Sequence, residues 1–170
     1  MKLNIFELPI WIGNIDCSLI KINTEKFQLT WESETPSSFH TKNEVAPESA
    51  EYIAKTLAGI LNKHFNSKFL IKLKNIWVNQ YNDDYQEPHI HTDCNFSFII
   101  YNDVQEAKTV FNHPLKNLIH AFKMTDLFSD IFQPECRANQ IIVFPSFYEH
   151  WVKRTNQGTT IAGNFDLEIK

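Results

Sequence analysis

The chain has 170 residues, 43% hydrophobic and 14% aromatic, with 21% charged residues and a formal net charge of −4. Such a composition excludes a disordered chain, and a domain of this length buries roughly 70% of its unfolded surface, so one domain over 1–170 is expected. The scattered lysines offer no footprint for a nucleic-acid backbone, and no apolar run approaches the roughly 20 residues of a membrane helix. The start MKLNIFELPI lacks a cleavable signal pattern, so a soluble cytoplasmic protein is the expectation.

Residues 4–33 divide into short apolar segments, NIFELPIWIGNI, SLIKI and FQLTW, separated by turn residues, a pattern that predicts an antiparallel meander. A polar stretch from Thr35 to Pro47 reads as a connection. From Pro47 to Phe65 the apolar residues Ile53, Leu57, Ile60 and Leu61 recur at helical spacing, and proline suits the first turn, so a helix is expected there. Phe69 to Asn82 and Phe96 to Tyr101 read as strands. The region from Val104 to Asn139 is mixed: TVFNHP has strand character, and LKNLIHAFKMTDLFSDIF has helical periodicity without caps. Three closing strands follow, Ile141–Phe144, His150–Thr155 and Thr159–Glu168, the last two joined by a hairpin turn at Asn156, Gln157 and Gly158. Strands outnumber helices, which predicts a mainly β barrel or sandwich with one or two packing helices. The three cysteines, Cys17, Cys94 and Cys136, form no Cys-x-x-Cys pair and are expected as reduced thiols.

Chemistry concentrates between Trp77 and Tyr101, in WVNQYNDDYQEPHIHTDCNFSFIIY. His89, His91 and Asp93 share one parity, so an extended backbone turns all three toward one face. His150 follows the apolar run Ile141–Phe144, where a neighbouring strand brings it to the same place. Two or three fixed ligands with open positions are what a redox iron centre requires. A His-x-His pair also occurs as a solvent-facing accident, and a lone later histidine as hydrogen-bonded structure, so the spacing alone leaves metal binding open.

Read in order, Trp77 and Asn79, His89 and His91, Ser97 and Phe98, Phe144-Pro145-Ser146 with His150, and Ala162-Gly163-Asn164 resemble the iron(II)/2-oxoglutarate-dependent oxygenases. The likeness is to a small group found in bacteria and phages, and it covers about residues 75–166. It implies a double-stranded β-helix, the jelly-roll or cupin-like barrel, with iron(II) at its open end. It implies 2-oxoglutarate as cosubstrate and hydroxylation of a substrate, a small molecule or a peptide. Trp11, Trp31, Trp151, Tyr148 and Phe147 are candidates for its mouth.

Two departures from the family pattern bear on the site. The superfamily motif is usually His-x-Asp; here alignment on Pro88 makes His89, His91 and His150 the metal ligands, while the shifted frame His91-Thr92-Asp93 leaves Asp93 as the alternative carboxylate. The arginine that anchors the cosubstrate in the family falls at Gly158, two residues before Thr160. Of the two arginines, Arg137 and Arg154, the second shares His150's strand parity and is the candidate replacement. Asn79, Tyr81 and Thr160 are candidates for neutral hydrogen bonds to the same ligand. The alternatives are a metal-binding module that has lost the anchor, motivated by Gly158, and a three-histidine oxygenase that needs no 2-oxoglutarate.

Overall fold

Three apolar residues spaced by four, Ile53, Leu57 and Leu61, set the face of the long helix, and none of them retains any exposure. This helix, α1 (Pro47–Phe65), fills the span its periodicity predicts, with Glu48 in its first turn and Lys63 and His64 in its last, each favourable to the helix dipole. The computed structural model describes residues 9–22, 28–29, 36–37, 45–65, 68–104, 107–154 and 157–169. The strands are β1 (Trp11–Asn14), β2 (Gln28–Leu29), β3 (Pro36–Ser37), β4 (Phe69–Asn82), β5 (Gln86–His89), β6 (Phe96–Tyr101), β7 (Thr109–Asn112), β8 (Ile131–Phe132), β9 (Gln140–Pro145), β10 (His150–Val152) and β11 (Gln157–Ile169), with a short helix α2 (Lys116–Ala121) after β7.

These strands form two antiparallel sheets, one of seven strands in the order β1-β9-β6-β11-β4-β3-β2 and one of four in the order β5-β10-β7-β8. Among the described residues the fold is mainly β with two α-helices, as expected. The long pair β4 and β11 is the spine of the larger sheet, in register from Gln157 opposite Asn82 to Ile169 opposite Phe69, with one bulge between Asn164 and Phe165. Alternation along the central strands then sorts side chains into two cores. Ile76 and Val78 of β4, Phe98 and Ile100 of β6, Ile141 and Val143 of β9, and Ile161 and Phe165 of β11 cluster with Ile53, Leu57 and Leu61 of α1. The residues between them, Trp77, Ile99, Tyr101, Ile142, Phe144 and Ala162, cluster instead with Phe111 of β7 and with Tyr148. Burial on both faces explains why these strands read as continuous apolar runs, and each fully buried aliphatic or aromatic side chain contributes about 1.5–3 kcal/mol.

Three expectations change. The N-terminal segments do not form a meander: β1 pairs with β9 at one edge of the large sheet, and β2 with β3 lies at the other. The chain between is diverted by Asp16, whose Oδ1 accepts the Ser18 N–H at 3.0 Å and the Ser18 hydroxyl at 2.6 Å, so Cys17–Leu19 winds into a 3-10 turn where a strand was expected. Residues 4–8, 23–27 and 30–33 of that prediction, and most of the polar connection before Pro47, lie outside the described residues. The closing hairpin is also absent, because β10 already has β5 and β7 on its two sides while β11 joins β4 and β6 in the other sheet. Gly158, with φ 109°, lies within β11, and Asn156 is outside the described residues. Among the described residues of the mixed region only Lys116–Ala121 is α-helical; no side chain caps its start, and Lys123 at φ 55° turns the chain away just past its end.

Candidate metal centre

His150 occupies the middle of the small sheet, with His89 directly opposite on β5 and Phe111 opposite on β7. Cross-strand partners in an antiparallel pair share a face, and the His89 and His150 ring centroids lie 4.4 Å apart. Strand β5 ends at His89, so His91 is positioned by other means. Its N–H donates to the Ser146 carbonyl at 3.0 Å, and its ring stacks on Trp77 at 5.4 Å and 22°. The His91 and His150 rings are nearly parallel, at 5.1 Å and 11°. One ligand atom from each of the three histidines lies within 4.8 Å of the others.

The backbone decides which nitrogen faces inward. His89 Nδ1 lies 2.7 Å from the Glu87 carbonyl oxygen, and His150 Nδ1 lies 3.0 Å from that of Tyr148. A carbonyl oxygen only accepts, so each Nδ1 carries the proton and each Nε2 keeps a free lone pair, the arrangement a metal-ligating histidine uses. Electrostatics point the same way. Burial, followed by the charge of His89, lowers the His91 imidazole to about 4. Burial, then His89 and His91, holds His150 well below the ordinary histidine value, against the opposing hydrogen bond to Tyr148. Imidazoles kept neutral are available to coordinate without first losing a proton.

Asp93 is not part of this group. The extended backbone that would have kept it beside His89 and His91 stops at His89, and Asp93 itself is an exposed turn residue with φ 61°. Arg154 is exposed in the bend after β10, beyond the strand whose parity linked it to His150, and it does not line the cavity at the histidines. Asn79, Tyr81 and Thr160 do line that cavity, together with Trp77, Gln86 and Thr109. Its free space is narrow, about 20 Å³, close to what one water-sized species occupies. Tyr81 donates to Gln86 Oε1 at 3.2 Å, and burial pushes its phenol up to about 12 against the opposing pull of Thr160 and Asn79, so it stays protonated. Thr160 Oγ1 is buried beside the Tyr81 phenol, on which it pulls, but among the described residues it completes no well-formed hydrogen bond. Of the aromatics expected at the mouth, Trp11 packs on Phe65 and Phe96, Trp151 on Tyr85, and Phe147 on Tyr148, and none of these three lines the cavity. Tyr148 serves through its carbonyl instead, and Trp31 lies outside the described residues.

A relay of side chains braces the turn that holds His91. Cys94 Sγ donates to Ser146 Oγ at 3.0 Å, Ser146 and Ser97 hydroxyls meet at 2.9 Å, and Ser97 Oγ donates to Asn164 Oδ1 at 2.8 Å. The carbonyls of Glu87, Ser146 and Tyr148 were not foreseeable site groups, because a backbone oxygen leaves no residue-type signal. The stack of Trp77 on His91 had a weak one, an aromatic at the inward parity of β4.

The donor set suits a first-row divalent metal: three imidazole nitrogens leave positions open for exogenous ligands. No described helix is long and apolar enough to cross a membrane. No protein-family model matches the sequence, and no curated protein matches it. Among solved structures, HygX from Streptomyces hygroscopicus with nickel and 2-oxoglutarate bound is similar with a TM-score of 0.55 and 9% identity, over 93% of this chain and 82% of that one. The HygX structure that also holds hygromycin B gives 0.52 and 10%, over 82% and 72%. An oxidoreductase of the 2OG-Fe(II) oxygenase family from Burkholderia pseudomallei gives 0.48 and 14%, over 92% and 68%. At these identities the likeness is one of fold.

Proposed function

We propose that this chain is a non-haem iron(II) oxygenase driven by a 2-oxo acid, built as a single jelly-roll domain, with His89, His91 and His150 as its metal ligands. The observation that carries the reading is the convergence of the three imidazoles, two of them held by backbone carbonyls so that Nε2 faces inward. The HygX likeness supports it by fold, and 2-oxoglutarate, bound in that structure, is the first candidate cosubstrate. When bound, iron(II) with a 2-oxo acid supplies the reduction of dioxygen, two electrons coming from the acid as it loses carbon dioxide and two from a substrate C–H bond that becomes C–OH. The chain's share is placement and exclusion of water. Three neutral imidazoles leave the metal its full charge for an anionic ligand, while the Phe111 and Phe144 rings against His150, at 5.8 and 4.9 Å, keep that side dry.

The test is an anaerobic titration of 2-oxo acid into the iron(II)-loaded protein, following the weak visible charge-transfer band of a chelated keto acid. A saturable band is the expected result. Iron binding with no band for any 2-oxo acid would sink the keto-acid part of the reading. One observation favours that second reading, an oxygenase or metal-binding module without a 2-oxo acid: the family's arginine position is Gly158, where a Cβ would lie 2.9 Å from Asp103 Oδ1.

A further inference from the structure

The cavity follows one face of β4. Trp77 lies on His91 at its start, and Asn79 and Tyr81 succeed it on the same face at steps of about 6.8 Å. Strand β11 sets Thr160 opposite Asn79 and Gly158 opposite Tyr81. A ligand held at the histidines and reaching inward therefore runs along this row, and the groups it meets are neutral: the Asn79 amide, the protonated Tyr81 phenol and the Thr160 hydroxyl, which among the described residues completes no well-formed hydrogen bond. Past them, just outside the cavity lining, stands one exposed acid, Asp103. Gly158 has φ 109°, and a Cβ there would stand 2.9 Å from Asp103 Oδ1 and 3.1 Å from the Asp103 carbonyl oxygen. The Asp103 carboxylate is fixed in place by the Thr159 N–H, which it accepts. A long cationic side chain at 158 is thus opposed by backbone conformation and by space, and the charge already seated beside the row's end is negative. A carboxylate arriving there loses water and gains only neutral donors, with a solvent-screened anion beyond; an ester, amide or alkyl end avoids the first cost.

Resting on the metal and 2-oxo-acid reading above, we infer that this cavity selects a 2-oxo acid with an uncharged far end over the dianion 2-oxoglutarate, and that Thr160 Oγ1 is the hydrogen-bonding group that receives a polar, uncharged end. The proposal assigns specificity to Thr160 and Asp103.

The experiment titrates the full chain, loaded anaerobically with iron(II), with 2-oxoglutarate, its 5-methyl ester and 2-oxopentanoate, reading the charge-transfer band. The nickel(II)-loaded protein, read by its melting temperature, gives a second measure of each affinity. Both neutral-ended acids should half-saturate at least tenfold below 2-oxoglutarate, about 1.4 kcal/mol. Thr160→Val, nearly the same shape, should weaken the ester at least fivefold and leave 2-oxopentanoate within twofold. Asp103→Asn should bring 2-oxoglutarate at least threefold closer to the ester. If 2-oxoglutarate saturates as readily as the ester or more so, the inference is overturned and the proposed function stands. Equal losses for ester and 2-oxopentanoate in Thr160→Val overturn the role of Thr160. Iron binding with no band from any of the three acids overturns both the inference and the reading beneath it.

Discussion

The two faces of the large sheet are made by alternate residues of the same strands, yet they differ in kind. Toward α1, β4, β6, β9 and β11 present Ile76, Val78, Phe98, Ile100, Ile141, Val143, Ile161 and Phe165, all apolar. Toward the small sheet the same strands present Asn79, Ser97, Thr160 and Asn164 among their aromatics, every one of them buried. A buried polar group costs free energy unless it is paired, so a face that carries four of them is organised by something besides packing. Ser97 and Asn164 are paired in the relay that braces the turn behind His91; Thr160 Oγ1 completes no well-formed hydrogen bond among the described residues. The helix face therefore holds the sheet together, and the inner face carries the candidate metal centre.

The largest effect that tests this division is on metal. His150→Ala or His89→Ala should lower iron(II) affinity by about a thousandfold or more, ~4 kcal/mol, because two imidazoles remain and one inward lone pair is lost. Equilibrium metal titration with a competing chelator measures it. Retained affinity in either variant would break the assignment of the three histidines. Next is the opposite kind of lesion. Leu57→Ala, in the helix-side cluster, should destabilise the fold by about 3 kcal/mol while the folded protein keeps its metal affinity. Urea unfolding and metal titration on the same sample read both quantities, and a folded Leu57→Ala protein that no longer binds metal would show that the faces are not separable.

A smaller effect falls between the two. Ser97→Ala removes the donor to Asn164 Oδ1 and the partner of the Ser146 hydroxyl. Leaving those groups unmatched should cost about 1–2 kcal/mol of stability, and metal affinity should fall by about tenfold because Ser146 also holds His91 through its carbonyl. A loss of stability with unchanged metal affinity would reduce the relay to simple packing.

What could be read beforehand follows the same division. Helix α1 was legible because Ile53, Leu57 and Leu61 repeat at the helical period, and β4, β6 and β9 because their two-sided burial makes long apolar runs. His89, His91 and His150 were legible as residue types with suggestive spacing. Pairing was not: β1 lies beside β9, and β10 is kept from β11, by tertiary contacts far from either segment. Nor was the diversion at Asp16, where a side-chain oxygen outcompetes the strand ladder locally. Parity failed at Asp93 and at Arg154 for one reason, that it holds only while the backbone stays extended, and β5 and β10 both stop short of those residues.

The smallest expected effect is therefore an informative one. Asp93→Ala should leave iron(II) affinity within about twofold, under 0.5 kcal/mol. In the shifted frame this residue is the carboxylate ligand, and its removal would then cost as much as that of His150. The structure sets the two apart by backbone alone: at φ 61° the chain turns at Asp93, and its carbonyl accepts from the Lys74 ammonium. An alanine is strained at that φ, so a loss of thermal stability by itself says nothing about the metal. Asp93→Gly relieves the strain and removes the carboxylate, and iron(II) affinity preserved in both variants would leave the centre with three neutral ligands. A joint loss of affinity would return a negative charge to it, and with that charge the electrostatic case for an anion-hungry metal would fall.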